Sequence, residues 1–473
     1  MKQTARAPKP DSASAARFEA VASKVAAIVS PTAAEAAAEK AFADGVVQKL
    51  SRLLPQAKVT FIGSAARDTG LRGSRDIDIF AAFQKGPEER IVARTFAAAR
   101  ACIRGAKWEK HYAEHPYLQA KVAGFEIEVI PCFAIKENQK IISAVDRSPL
   151  HMAYLERKLT LAQRRDVRVL KQLLKSAGIY GAEARIGGFS GYVCELLVLN
   201  YRGLYELLQA ASNWRLPVVI DIEGQYYQDD KAALARFPAS QLVVVDVTDK
   251  ERNAAAAISP DSLASFITLA RTAGAKPSSE LFFHKEKIPA DSAIASGLSR
   301  RGTHAVLAKA KAPAIVDDIF YPQLAKTRDS MAAYLKRRGL MLVDSAHFSD
   351  GKFTYLLFEF AHPAASPIEV CNGPPAFDAQ AVAGFVSSRG KGAIRGPFIR
   401  EGRLVVEVAR KLPAELAVAE YLRSCKSLGA ASHFQGPLKK AAVLAGPRKI
   451  VAAVSAKAKP ELAGFVFRKS HWL

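Results

Sequence analysis

The spacing of apolar residues changes several times along the chain, and the changes mark its parts. Over residues 18–54, Ala, Val and Leu recur at helical spacing, with a break at Ser30-Pro31. The spacing then shortens to alternation. Val59, Phe61 and Ile62 form a short strand that runs into Gly63-Ser64, and after a basic stretch a second strand carries Asp76 and Asp78 between Ile77 and Ile79. A helix is expected over 88–104, and an extended block over 117–133 with its turn at Gly124. Helices follow over 152–177 and 192–211, strands over 217–222 and 241–247, and a helix over 260–273. A Lys/Pro/Ser patch at 275–279 reads as a linker. Beyond it, strands at 305–308, 353–360 and 404–408 alternate with helices at 321–338 and 379–388.

Alternation puts Asp76 and Asp78 on one face of their strand and Ile77 and Ile79 on the other. Glu126 and Glu128 share a face of the strand that follows Gly124 in the same way. Neighbouring carboxylates resist joint ionisation, and a divalent cation with oxygen ligands, magnesium above all, relieves that. Glycine and serine at a strand end let a backbone approach phosphate oxygens closely. Residues 59–80 therefore read as a metal-dependent phosphate site.

The 473 residues suggest about three domains. With 49% hydrophobic and 24% charged residues the chain is globular, and it has no apolar run long enough for a membrane span. A formal net charge of +23 calls for a polyanionic partner, and nucleic acid fits best. Residues 439–469 hold eight Lys or Arg against one acid, Glu461. The five cysteines form no CxxC pair, and the start has no apolar secretory segment, so a cytoplasmic location is expected. Residues 1–17 read as a flexible basic arm.

Gly63-Ser64, eleven residues, then Asp-x-Asp is the core of the polymerase-β-like nucleotidyltransferase pattern. The later blocks narrow the resemblance. GFEIEVIPC at 124–132, DRSPLH at 146–151, the run from Ile179 to Trp214, DVTDKERN at 246–253 and GPFIREGR at 396–403 resemble the archaeal-type (class I) CCA-adding enzymes, the tRNA nucleotidyltransferases. The resemblance covers nearly all of the chain beyond the arm and weakens after about residue 425. It implies an α+β multidomain fold: a catalytic head of mixed sheet and helices over 18–150, a helical neck that recognises the nucleotide over 151–275, and an α+β body with a tail that binds tRNA over 276–473. It implies template-independent addition of C, C and A to a tRNA 3′ end from CTP and ATP.

By the same resemblance, Asp76, Asp78 and Glu128 hold Mg2+, with Glu126 a competitor for the third place. Ser64, Arg67, His151, Lys171 and Tyr180 grip the triphosphate and ribose, and Arg252 reads the base. An arginine presents only donors, so it suits the acceptors cytosine N3 and adenine N1 and rejects the N–H of uracil and guanine. From the residues alone, the plainer alternative is a surface arginine paired with Asp249 or Glu251, a pairing compatible with base reading because it would hold the fork in place. A homodimer stays open, and no membrane partner is expected. The rival readings are a poly(A) or other terminal RNA nucleotidyltransferase, which would share the head, and a non-catalytic RNA-binding protein on the same fold.

Overall fold

The computed structural model describes residues 12–112, 115–135, 141–227, 229–285 and 287–473. Residues 1–11 of the expected arm lie outside the described residues, whereas residues 12–17 are helical, in Ser12–Val29. The chain forms two compact units, Met1–Lys285 with Ser470–Leu473, and Glu286–Lys469.

The first unit contains a five-stranded mixed sheet: β1 (Ala57–Ile62), β2 (Asp76–Phe83), β3 (Glu109–Tyr112), β4 (Pro116–Val122) and β5 (Phe125–Phe133), in the order β1-β2-β5-β4-β3. β2 and β5 run parallel at its centre. Ile77, Ile79, Ile127 and Val129 are fully buried, packed with Leu50, Ile91 and Phe96 of the helices Ala33–Leu53 and Glu88–Cys102. The other face of the two central strands is thereby left to their acids. The β4–β5 turn falls at Ala123 and Gly124, both at positive φ (51° and 83°), which a two-residue hairpin of matching twist requires.

A second core of the same unit is largely helical. The helix expected over 152–177 is two, Arg147–Lys158 and Leu161–Ser176. Thr160 divides them: its hydroxyl accepts from the Gln163 N–H while Gln163 reaches back to the Thr160 N–H, a capping box that starts a new helix. The helix expected over 192–211 likewise divides into Gly191–Tyr201 and Leu204–Ala211, because Arg202 turns left-handed (φ 68°) before Gly203. Phe18, Val25 and Val29 of the first helix join this core with Leu170, Leu173 and Leu197. A small sheet, β6 (Val218–Ile220), β7 (Leu242–Asp246) and β8 (Asp249–Asn253), completes it.

The second unit pairs β9 (His304–Lys311), β10 (Leu342–Ser349), β11 (Phe353–Phe360) and β15 (Ala442–Ala445) in the order β10-β11-β9-β15. A separate sheet sets β14 (Arg403–Ala409) between β12 (Ile368–Pro375) and β13 (Ala393–Arg400). Helix Asp317–Arg337 packs Phe320, Leu324 and Met331 against the first sheet's Val306 and Phe358. All five cysteines are free thiols. No helix among the described residues is long and apolar enough to cross a membrane.

Candidate active site

The β2–β5 register sets Asp76 beside Glu126 and Asp78 beside Glu128, so four acids share one face. β4 places Gln119 opposite Glu128 and Lys121 opposite Glu126. The Gln119 amide donates to Glu126 Oε1 (2.7 Å) and to Glu128 Oε1 (2.9 Å). Lys121 pairs with Glu126 at 3.4 Å, and the Ser74 hydroxyl donates to Asp76 at 2.7 Å. Burial first, then the charge of Asp76, pushes the Asp78 carboxyl up to about 6 against the pull of Arg67. Burial, with Asp78 and Asp76 behind it, pushes Glu128 up to about 7, and the Gln119 bond opposes it only in part. These carboxylates have too little positive charge near them, and their all-oxygen donor set suits a hard divalent cation. Among the described residues no group of three or more His, Cys, Asp or Glu side chains is already gathered closely enough to hold a metal ion, so binding one here would require these acids to draw together.

β1 ends in the single helical turn Gly63–Ala66, with Gly63 at φ 92°. A Cβ at Gly63 would collide with the Asp78 carboxylate, so this residue must be glycine for strand end and acid to meet. Two clefts flank β2. One, of about 400 Å³, is lined by Gly63, Arg67, Asp78, Glu128, His151 and Tyr192. The other is lined by Ser64, Asp76, Lys171 and Tyr180, with Arg72 and Arg75. Eight of the nine expected residues thus border β2.

Behind the clefts lies a buried ionic cluster. Arg67 makes a two-pronged pair with Glu195, 3.0 Å on each side. The Thr69 hydroxyl donates to the same carboxylate at 2.5 Å, and Lys171 Nζ donates to the Thr69 carbonyl at 2.9 Å. Burial pulls the Lys171 ammonium's pKa down, and Glu195 opposes this. A Cβ at Gly191 would stand 3.4 Å from both Lys171 Nζ and Tyr180 Oη, so the two cleft-lining groups meet where the helix Gly191–Tyr201 begins.

Arg252, the ninth residue, sits on β8 and pairs with neither Asp249 nor Glu251. Asp249 pairs with Arg147 at 3.1 Å and Glu251 with Arg236 at 2.6 Å. Arg252 Nη1 instead donates to Asp246 Oδ2 at 2.6 Å. His151 Nε2 lies 2.9 Å from both oxygens of that same carboxylate, which ties the two expected ligand contacts together. Glu195, Asp246, Tyr192 and Gln119 were not singled out from the sequence. A single Glu inside an apolar helical run and an Asp closing an apolar strand were the available signals.

Family models match three consecutive stretches: a nucleotidyltransferase domain at residues 43–151, the second domain of tRNA nucleotidyltransferase at 165–283, and the C-terminal domain of CCA-adding enzyme at 301–445. The chain is 36% identical to a CCA-adding enzyme of Methanoregula boonei, over 83% of this chain and 87% of the relative. It is also 36% identical to that of Haloarcula marismortui, with the same two coverages. Against that of Archaeoglobus fulgidus it is 37% identical over 75% of this chain and 79% of the relative. Similarity of that depth, running through all three matched regions, makes this chain a member of the CCA-adding enzyme family, whose nucleotidyltransferase domain carries the acid face described above.

Proposed function

We propose that the protein adds C, C and A in turn to the 3′ end of tRNA, without a nucleic-acid template, with Asp76, Asp78 and Glu128 as its metal-binding acids. The observation that carries this reading is the undercompensated acid face of β2 and β5 beside the cationic Arg67 and Lys171. In the reaction the tRNA 3′-oxygen forms a bond to the α-phosphorus of CTP or ATP, the bond from that phosphorus to the β-phosphate bridging oxygen breaks, and pyrophosphate leaves. Bound Mg2+ would supply Lewis acidity to the attacking hydroxyl and offset the charge of the triphosphate.

The chain's own residues bind and orient. Ser64 and the N–H groups of its helical turn meet phosphate oxygens at the strand end, and Arg67 and Lys171 add positive charge. Glu195 holds Arg67 in a fixed orientation through its two-pronged pair, so little reorganisation accompanies substrate binding. Glu128 fits the third metal place better than Glu126, because Lys121 already pairs with Glu126. Arg252 offers donors to the acceptor edges of cytosine and adenine. The proposed head, neck and body follow the expected 18–150, 151–275 and 276–473 with two changes, since the helix Ser12–Val29 packs into the neck's core and residues 276–285 and 470–473 belong to the first compact unit; the body would contact tRNA through its basic tail. The free cysteines fit a cytoplasmic setting.

The test is labelled-nucleotide incorporation on a tRNA that ends at the discriminator base, with magnesium present. CTP alone should add two residues and stop, CTP with ATP should add three, and ATP alone should add none. Long homopolymer tails, or preferred incorporation of UTP, would refute this reading in favour of another terminal transferase.

A further inference from the structure

Asp246 ends β7 with its side chain fully buried, and donors converge on both of its oxygens. Oδ1 accepts from Tyr192 Oη (3.2 Å) and from the Thr248 N–H and hydroxyl (2.9 Å each). Oδ2 accepts from Arg252 Nη1 (2.6 Å), and His151 Nε2 reaches both oxygens at 2.9 Å. Burial alone would raise the pKa of this carboxyl, yet the bonds from His151 and Thr248 and the charge of Arg252 hold it well below the usual carboxylate range. A turn needs only the Thr248 contacts from an aspartate. An arginine and a histidine on the same group ask for a further role.

The neighbours show how Arg252 comes to Asp246 and not to the acids beside it on β8. Arg147 occupies Asp249 and Arg236 occupies Glu251. The backbone is fastened as well, since Gln225 donates to the Asp246 carbonyl and Tyr226 to the Lys250 carbonyl, both at 2.7 Å. One guanidinium nitrogen is therefore committed while about a third of the Arg252 side chain stays exposed for a ligand. His151 stacks on Tyr192 (3.9 Å between ring centres, 21° between planes), so its ring is set by a face contact and an edge contact together. A carboxylate at Nε2 places the neutral ring's hydrogen there and leaves Nδ1 as an acceptor, suited to a ribose hydroxyl of the substrate.

We infer that Asp246 is the positioning residue for base selection: it orients Arg252 and His151 through one carboxylate, so that the choice of base and the grip on the ribose are set together. This rests on the functional reading of Arg252 and His151 given above. Asp246→Asn keeps size and one acceptor but turns an amide donor toward groups that are themselves donors.

Single-turnover kcat/KM is measured for CTP and UTP, alongside the thermal midpoint and its shift with added magnesium. The ratio of CTP to UTP should fall by about 10-fold or more, with the magnesium shift retained, because discrimination by a fixed hydrogen-bonding group depends on that group's orientation. In an Arg252→Ala background the same change should lower selectivity no further, whereas independent action would give multiplied losses.

Arg147→Gln provides a second route that leaves the buried carboxylate intact. It leaves the largely buried Asp249 without its arginine, free to compete for Arg252, and should lower the ratio by about 3-fold or more. An unchanged ratio in folded Asp246→Asn, or multiplied losses in the double variant, overturns the inference. If Asp246→Asn does not fold, an unchanged ratio in Arg147→Gln overturns it. Failure of the wild-type protein to add either nucleotide would instead overturn the functional reading itself.

Discussion

The acids of the β2–β5 face and the acids Asp246 and Glu195 are the same chemical groups in opposite surroundings. Asp78 and Glu128 are only partly buried, among other carboxylates with few donors near them, and both are pushed toward neutrality. Asp246 is more deeply buried, its side chain inaccessible, yet an arginine, a histidine, a tyrosine and a threonine donate to it, and it stays charged. Glu195 is equally inaccessible: Oε1 accepts from Arg67 and Thr69, and Oε2 lies 3.0 Å from Arg67 without an aligned donor. Burial therefore does not decide what a carboxylate does here; the count of donors around it does. On the proposed reading, acids short of donors take up a cation, whereas Asp246, with donors on both oxygens, holds the protein's own Arg252 and His151 in place.

If that contrast is right, removing charge from the two groups should move stability in opposite directions. Asp78→Asn has the largest effect in view, a single-turnover rate lowered by about 10³-fold or more, the scale of losing a central electrostatic group in a transfer site. The same variant should be more stable than wild type without metal, by about 1–3 kcal/mol, because a partly buried charge repelled by Asp76 has gone. Added magnesium should raise the thermal midpoint of wild type and not of the variant. A destabilised metal-free Asp78→Asn protein would break the contrast.

Glu195→Gln should go the other way, with a loss of about 3–5 kcal/mol in urea unfolding as Arg67 is left buried and unpaired. Near-neutral behaviour would show that solvent reaches Arg67 and that the cluster is not rigid. The finest distinction lies inside the acid face. Glu128→Gln should lower the rate by about 10²-fold or more, while Glu126→Gln should stay within about 10-fold, since Lys121 already answers its charge. A greater loss for Glu126→Gln would reverse the assignment.

Much of this was legible in the sequence where local pattern and chemistry coincide. Alternation around Ile77 and Ile79 gave the β2 faces, and Gly124 gave the turn that brings β5 back with Glu126 and Glu128 on one side. Breaks inside helices were harder to see, because Thr160 and Arg202 interrupt apolar spacing that is itself uninterrupted. β8 escaped because DKERN has no apolar alternation; it is held by ion pairs and by two bridges to β7. For Arg252, sequence proximity pointed to Asp249 and Glu251, but both acids are taken by arginines from elsewhere in the chain. Partners fixed by tertiary structure, such as Glu195 for Arg67 across 128 positions, leave no trace in local spacing.

The fastening of β8 has one more consequence. The strand that carries Arg252 presents no apolar face to a core; Asp249, Glu251 and Arg252 are each anchored by opposite charge, and the Arg236–Glu251 pair is half exposed. Ions in solution weaken the exposed Arg236–Glu251 anchor most, and the buried pairs of Asp246 and Asp249 much less. On the proposed reading, added salt loosens the edge of the strand beside Arg252 while the buried Asp246 pair keeps the base-reading group itself in place, so fidelity is buffered against the ionic strength around the protein.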